Sequence, residues 1–238
     1  RFVRPKGWPK PVYDLSKSKV TDAGFKLGRK LFYAPLLSAD GTISCANCHT
    51  QLNAFTHVDH GLSHGINGLK GTRNSLALSN LAWNTSFMWD GGINNLEVQP
   101  LAPITSPTEM GTTLAAIVSR LDSVSYYRPL FYKAFGDSTI TGQRVLKALA
   151  QFTVMFESFN SKYDKYVRKE PGGDMTAEEL HGLELFRTHC ASCHTEPLFT
   201  NHTFQNVGLT PDPELKDYGR MKITSDPKDS MKFKVPSL

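Results

Sequence analysis

The residues of this chain best suited to chemistry are its four cysteines, which occur in two copies of one short motif. The copies are Cys45-Ala-Asn-Cys48-His49 and Cys190-Ala-Ser-Cys193-His194. In a C-x-x-C-H motif the two thiols can add to the vinyl groups of a porphyrin, while the adjacent histidine binds the iron. A thioredoxin-like pair or a four-cysteine zinc site also uses C-x-x-C, but neither needs histidine in the fifth position. The motifs therefore predict two covalently bound c-type haems.

The same motifs carry information about the cellular compartment. Because c-type haem is attached outside the cytoplasm, they predict an exported protein of the bacterial periplasm. The sequence opens at Arg1, and residues 1–5 have neither an initiator methionine nor an apolar signal core. We therefore expect any export signal to have been removed.

Composition excludes several other classes of protein. The chain has 238 residues, a formal net charge of +5, 39% hydrophobic residues and 21% charged residues, which is typical of a globular protein. Polar residues interrupt even its most apolar segment, residues 145–159, so no membrane span is expected. The propionates of two haems would largely cancel the positive charge, and the lysines are dispersed. We therefore expect no nucleic-acid partner.

The elements before the two motifs share a pattern that indicates an internal duplication. Gly28-Arg-Lys-Leu31-Phe32 precedes the first motif, and Gly182-Leu-Glu-Leu185-Phe186 precedes the second. Thr176 and Glu179 have capping-box spacing, which predicts a helix leading into the second motif. The first copy has a loop of twelve residues between Phe32 and Cys45. We therefore expect two haem domains, with segments of unequal length leading into the two haem motifs.

Three segments between the motifs set the expected organisation. Apolar residues with helical spacing over 145–159 predict one buried helix. The sequence Pro171-Gly-Gly-Asp174 predicts a boundary between an N-terminal domain, residues 1–170, and a C-terminal domain, residues 171–238. Residues 91–113 are rich in Gly, Pro, Asn and Thr and predict a long functional loop.

Taken together, these and further motifs resemble the bacterial di-haem cytochrome c peroxidases and the related di-haem enzymes of methylamine utilisation. Besides the two haem motifs, the matching segments are Leu27 to Phe32, Gly71-Thr-Arg73-Asn74-Ser75, Phe87 to Gly92, Leu96 to Gln99, Glu109-Met110-Gly111 and Phe233 to Leu238. The resemblance implies a mainly α fold of two cytochrome c-like haem domains. It also implies that peroxide reacts at the N-terminal haem and that electrons enter at the C-terminal haem.

The resemblance assigns catalytic roles to Glu109, Gln99 and Trp89. Glu109 matches the acid–base residue of the peroxide pocket, and Gln99, ten positions earlier, matches its hydrogen-bonding companion. A carboxylate beside the iron suits this chemistry because peroxide must lose a proton from one oxygen and gain one on the other. Trp89 matches the tryptophan that lies between the two haems and shortens the electron path. Without the resemblance, Glu109 would be read as a solvated loop residue and Trp89 as a large aromatic filling an interface.

A calcium ion is also implied by the resemblance. Asn74 matches its side-chain ligand, and backbone carbonyls near Lys234 and Pro236 complete the site. Oxygen ligands of this kind suit calcium. The alternative for Asn74 is a capping role at the start of a helix.

The sequence departs from the family pattern at two places. Where the well-known peroxidases have a loop histidine that caps the peroxide-reacting haem, this chain has Ile66, which cannot bind iron. His64 lies two residues earlier and is a candidate for a shifted distal ligand. The second departure is that the sequence stops at Leu238, before the segment that carries the sixth ligand of the C-terminal haem in the family. We expect an N-terminal segment to complete the C-terminal domain.

These observations predict a di-haem peroxidase that reduces hydrogen peroxide to water with electrons from a small cytochrome c or cupredoxin. Two alternatives stay open at this point. One is an oxidase of the methylamine-utilisation type, which matures a protein-derived cofactor in a partner. The other is a di-haem electron-transfer or sensor protein without catalysis, which would have no need of Gln99 and Glu109. A homodimer is compatible with either enzyme.

Overall fold

A computed structural model describes residues 2–238, so that Arg1 lies outside the described residues. The fold is mainly helical. The helices are α1 (Asp22–Phe32), α2 (Cys45–Cys48), α3 (Leu101–Thr105), α4 (Leu114–Ser123), α5 (Tyr127–Phe135), α6 (Gly142–Thr153), α7 (Lys162–Arg168), α8 (Ala177–His189) and α9 (Met221–Thr224). Strands β1 (Phe204–Gln205) and β2 (Phe233–Lys234) form one antiparallel pair. No helix among residues 2–238 is both long and apolar enough to cross a membrane.

The main core lies where α1 crosses α6. Leu27 and Leu31 are fully buried in this contact. Gly28 lets the two backbones approach closely, because a Cβ atom there would lie 1.9 Å from the carbonyl oxygen of Ala148. The glycine of the first duplicated pattern therefore has a packing role, and the contact fixes the chain that leads into the first C-x-x-C-H motif.

The helix predicted before the second motif is confirmed as α8. Thr176 and Glu179 form the predicted capping box. Unlike α1, α8 has no buried residue, and its Leu180 and Leu185 are 41% and 47% exposed. A Cβ on Gly182 would meet no atom within 4 Å. The two duplicated segments thus form helices that pack differently. The domain boundary between residues 170 and 171 stays a prediction.

The helix predicted over residues 145–159 is shorter than expected, because α6 ends at Thr153. Beyond this end, the side chain of Asn80 exchanges two hydrogen bonds with the backbone of Ser158, at 3.0 and 2.9 Å. These bonds hold the chain after α6 in a non-helical path. The apolar periodicity nevertheless marks buried positions, since Phe156 stacks on Phe55 with ring centroids 3.8 Å apart.

The loop predicted over residues 91–113 contains the short helix α3. Its ends are tied back, because the amide of Thr112 donates to the carbonyl of Ile104 at 2.9 Å and the amide of Met110 donates to that of Pro103 at 3.1 Å. Ile104 and Met110 are buried in the main core. These contacts hold the loop in a compact form that can position side chains. Its turn-rich composition predicted a loop but did not indicate these contacts.

Candidate functional site

Cys45 to Cys48 of the first C-x-x-C-H motif form α2, and the second motif begins at Cys190, immediately after the end of α8. Ser44 and Asn47 form a capping box that starts α2 immediately before Cys45. All four cysteines lie within residues 2–238 and are unpaired thiols. Burial raises the pKa of the Cys45 thiol to about 12. Such a thiol is a poor redox nucleophile, which argues against a thioredoxin-like role.

The histidines of the two motifs are held in the same way. The Nδ1–H of His49 donates to the carbonyl of Phe55 at 2.8 Å, and that of His194 donates to the carbonyl of Phe199 at 3.0 Å. A hydrogen bond at Nδ1 leaves Nε2 free as a metal ligand and fixes the orientation of the ring. Burial also lowers the pKa of His49, which favours the neutral imidazole that binds metals. Both histidines therefore have the Nδ1–H bond to a backbone carbonyl that is typical of an iron ligand.

Each motif lines a cavity of a size suited to a cofactor. A cavity of about 600 Å³ is lined by Cys190, Cys193 and His194, and one of about 370 Å³ by Cys48 and His49. Cofactor pockets typically have volumes of roughly 300–1,000 Å³. The residues present thus fit a haem at each motif.

Trp89 lines both cavities. Its indole Nε1–H donates to the carbonyl of Asn74 at 2.8 Å, and its own carbonyl accepts from the amide of Lys234 at 2.7 Å. These two bonds tie it to the N-terminal half and to β2 at once. Trp89 therefore borders the cavities of both C-x-x-C-H motifs, and its role in electron transfer stays a prediction.

Gln99 and Glu109 lie together beside the first motif, because both line the same cavity as Cys48 and His49. Burial raises the pKa of Glu109, although a hydrogen bond with Ser106 partly opposes the shift. A raised pKa brings a carboxyl closer to the range in which it both accepts and donates a proton near neutral pH. The arrangement can therefore move a proton beside His49.

Ile66 and His64 occupy different places near this cavity. Ile66 is buried, and its amide donates to the carbonyl of Glu109 at 2.8 Å, so it supports the loop that carries Glu109. His64 lines a smaller cavity of about 70 Å³ together with His49 and Glu109. Its ring packs edge-on against His60, with centroids 4.5 Å apart. His64 thus shares a cavity with His49 and Glu109, and its role as an iron ligand stays a prediction.

The three residues expected at the calcium site line the cavity of the second motif. They are Asn74, Lys234 and Pro236. Asn74 accepts a hydrogen bond from the amide of Ser75 at 2.7 Å through Oδ1. Among residues 2–238 no group of three or more His, Cys, Asp or Glu side chains is arranged to hold a metal ion. Calcium therefore stays a prediction that depends on carbonyl and amide oxygens.

Comparison with known proteins identifies the family. The family model described as di-haem cytochrome c peroxidase matches residues 22–172, which is more than half of the chain. This chain belongs to the di-haem cytochrome c peroxidase family. The match includes the first C-x-x-C-H motif, Trp89, Gln99 and Glu109.

Individual members of the di-haem peroxidase family resemble the chain over most of its length. It is 36% identical to the methylamine utilisation protein MauG of Methylorubrum extorquens, covering 100% of this chain and 66% of that protein. It is 32% identical to the cytochrome c551 peroxidase of Nitrosomonas europaea, covering 90% and 64%. A solved MauG-like protein associated with microbial copper homeostasis superposes with a TM-score of 0.87 at 31% identity, covering 100% and 74%. The chain thus spans about two thirds of the length of the two curated relatives.

Arg73, to which the sequence analysis gave no role, forms an ion-paired group next to both haem motifs. Arg73 lines both cavities and pairs with Asp90 at 2.6 Å and with Asp217 at 2.6 Å. Arg73 lies in one of the matching motifs, but its partner Asp217 is 144 residues away. Sequence spacing carries no signal for such a long-range pair.

Proposed function

We propose that this protein is a periplasmic di-haem peroxidase that reduces hydrogen peroxide to water. In this proposal the Cys45–Cys48 and Cys190–Cys193 pairs each attach a c-type haem, and His49 and His194 bind the two irons. The observation that carries it is the matched pair of Nδ1–H bonds at these two histidines, on either side of Trp89. The family match of residues 22–172 supports the haem chemistry.

Glu109 and Gln99 are the residues of this chain that act on peroxide. A bound haem would supply the iron and the electrons needed for reduction. The Glu109 carboxylate accepts a proton from one peroxide oxygen and returns it to the other, so that the O–O bond breaks with water as the leaving group. The Gln99 side chain, in the same cavity, orients the peroxide by hydrogen bonding. Two electrons and two protons per peroxide then give two waters.

Electrons come from a small cytochrome c or cupredoxin at the second motif. Trp89, which borders both cavities, is the side chain that would carry them from the second motif to the first. Asn74 and the backbone carbonyls of Lys234 and Pro236 would hold a calcium ion, and the carbonyl of Asn74 orients the Trp89 indole by accepting its Nε1–H. A homodimer is the assembly we expect for the exported protein.

A specific observation favours a second candidate function. The MauG protein at 36% identity and the MauG-like structure at a TM-score of 0.87 both match the whole chain. An oxidase of the methylamine-utilisation type, which matures a protein-derived cofactor, is therefore the alternative. A carrier or sensor without catalysis is disfavoured, because Glu109 has a raised pKa beside His49 and a carrier needs no proton shuttle.

The proposal is tested by the mass and the activity of the protein produced with a haem-attachment system. Intact mass should exceed that of the polypeptide by two haems, and the holoprotein should consume peroxide when given a reduced cytochrome c. Cys190→Ala with Cys193→Ala should remove one of the two haems. A mass increase of one haem or of zinc in the unaltered protein would refute the assignment, and oxidation of a partner protein without peroxidase turnover would favour the alternative.

We predict that Trp89→Phe slows electron delivery between the motifs. Phenylalanine preserves much of the packing but removes the oxidisable indole and its bond to Asn74. Turnover with the protein donor at saturating peroxide should fall, whereas peroxide binding should not change. Trp83→Phe is the matched control, since the Trp83 indole also donates to a backbone carbonyl, that of Pro9, at 2.9 Å. Equal turnover in both variants would contradict the role of Trp89.

The resting state at His49 is a further prediction. Because Ile66 occupies the usual capping position, we expect an iron with an open distal side that reacts with peroxide before any reduction. The oxidised protein should therefore give a high-spin signal in electron paramagnetic resonance. A purely low-spin spectrum that becomes high-spin in His64→Gly, but not in His57→Gly, would instead identify His64 as a distal ligand.

A further inference from the structure

Tyr163 on α7 forms a hydrogen-bonded group with two charged residues next to the second motif. Its hydroxyl donates to the carboxylate of Glu196, which lies two residues after His194. Arg187 of α8 holds the same carboxylate with two hydrogen bonds, at 3.0 and 2.9 Å. The phenol, its acceptor and the arginine are thus fixed relative to one another.

This group is connected to His194 through a single residue. The ring of Tyr163 packs edge-on against Phe199, with centroids 4.9 Å apart. The carbonyl of Phe199 is the acceptor for the Nδ1–H of His194, at 3.0 Å. Tyr163 is therefore connected to the His194 imidazole through one residue, Phe199.

The phenol of Tyr163 has a proton acceptor in place. Burial and the hydrogen bond to Glu196 raise the pKa of Tyr163, so the phenol is protonated. The guanidinium of Arg187 holds the Glu196 carboxylate through two hydrogen bonds. A neutral phenol that loses an electron becomes a strong acid and must release its proton at once. Here a carboxylate is already in place to receive it, and the side chain of Glu196 is 24% exposed, so the proton can exchange with solvent.

We propose that Tyr163 is a redox-active residue that holds one oxidising equivalent, with Glu196 as its proton acceptor. With a haem bound at His194 and oxidised by the peroxide reaction, Tyr163 would give up one electron to it. The Tyr163 O–H bond breaks and the proton moves to Glu196, which leaves a neutral tyrosyl radical and a neutral carboxyl. An electron from a reductant and the returning proton restore both groups. This proposal rests on the proposed peroxidase function, which supplies the oxidant.

The site is open to a small reductant. Tyr163, Glu196 and Arg187 line a cavity of about 260 Å³ together with Trp8. A radical at Tyr163 would therefore be accessible from outside without the peroxide pocket being opened. This gives the second motif a side-chain route for electrons that is separate from Trp89.

The test is electron paramagnetic resonance of the holoprotein frozen after mixing with peroxide. We expect a radical signal that narrows when the protein contains ring-deuterated tyrosine and is lost in Tyr163→Phe. Glu196→Gln should slow formation of the radical and reduce its solvent deuterium isotope effect, because the acceptor is gone. Tyr13→Phe is the control for the phenol, since Tyr13 also donates to a carboxylate, that of Glu97, at 2.9 Å. Glu170→Gln is the control for the acid, since Glu170 also binds an arginine, Arg168, at 2.8 and 2.9 Å.

Peroxide consumption is measured on the same samples, so that a failure of the peroxidase function can be distinguished from a failure of the Tyr163 proposal. Normal consumption without a tyrosine radical, or with a radical that survives in Tyr163→Phe, would overturn the role of Tyr163 alone. If the unaltered protein consumes no peroxide, the proposed function fails. Photo-oxidation with a ruthenium complex and persulfate then tests the role of Tyr163 without peroxide. Oxidation mapped preferentially to Tyr163, and reduced in Glu196→Gln, would still support it. Oxidation elsewhere would overturn it.

Discussion

Replacing Glu109 by glutamine is expected to lower the rate of peroxide reduction by about 10²- to 10⁴-fold. Glutamine has nearly the same shape as glutamate, but it cannot take a proton from one peroxide oxygen and return it to the other. Both haem spectra should stay unchanged, because the side chain lies beside His49 without taking part in the Nδ1–H bond to Phe55.

The pH dependence should separate this role from a structural one. Because burial raises the pKa of Glu109, the acidic fall in turnover should occur at a higher pH than an ordinary glutamate would give, and it should disappear in Glu109→Gln. The folded state then holds the Glu109 proton more tightly than the unfolded state does. The contribution of Glu109 to the free energy of unfolding is therefore present at low pH and is lost as pH rises through its raised pKa. The neutral glutamine should thus leave the free energy of unfolding at neutral pH unchanged or slightly increased.

Glu157→Gln is the control for this variant. Burial also raises the pKa of Glu157, and its Oε1 accepts from the amide of Val3 at 3.1 Å, which a glutamine oxygen can also do. Turnover should be normal in Glu157→Gln. Normal turnover in Glu109→Gln as well would return Glu109 to the class of solvated loop residues.

The features predicted correctly from the sequence are those that depend on near neighbours in the chain. The Thr176–Glu179 capping box formed as expected, because all its hydrogen bonds are made within one turn of α8. The apolar spacing over residues 145–159 also identified a buried face correctly. Local patterns of this kind contain the information for the element they specify.

Features that depend on distant partners could not be predicted in this way. The chain after α6 is held by Asn80, whose bonds to Ser158 span 78 residues. The similar sequences before the two motifs gave an α1 with five buried residues, which packs on α6, and an α8 with none. For the site, composition placed Gln99 and Glu109 on a loop and the family resemblance proposed their roles, but the bond from Ile66 to Glu109 is visible only in three dimensions.

A second large effect is expected for Arg73→Ala, which should lower the free energy of unfolding by about 3–5 kcal/mol. Arg73 donates to Asp90 at 2.6 Å and to Asp217 at 2.6 and 2.9 Å. The side chains of Arg73, Asp90 and Asp217 are only 20%, 14% and 11% exposed. Removing the arginine leaves two largely buried carboxylates with much less positive charge to offset the cost of burying them. Lys222, 3.3 Å from Asp217, offsets part of the loss.

The contribution of this group should depend on pH in a defined direction. Burial raises the pKa of Asp217, but the hydrogen bonds from Arg73 and Gly219 outweigh burial and hold it at about 2. Stability from the pair is therefore fully present above the unfolded pKa of about 3.9 and is lost as pH falls toward the folded value. Denaturant unfolding should show the difference between the unaltered protein and Arg73→Ala shrinking over this range.

Arg128→Ala provides the comparison with an exposed pair, since Arg128 binds Asp122 at 2.8 Å with both side chains more than 40% exposed. Exposed pairs of this kind contribute only about 0–1 kcal/mol. Arg73 also has neighbours on which the function depends, because Asn74 follows it and Asp90 follows Trp89. Loss of Arg73 should therefore weaken the bond from Trp89 to Asn74 and slow electron delivery even under conditions in which the variant is fully folded. An Arg73→Ala protein that is less stable but delivers electrons at the normal rate would limit the role of this residue to stability.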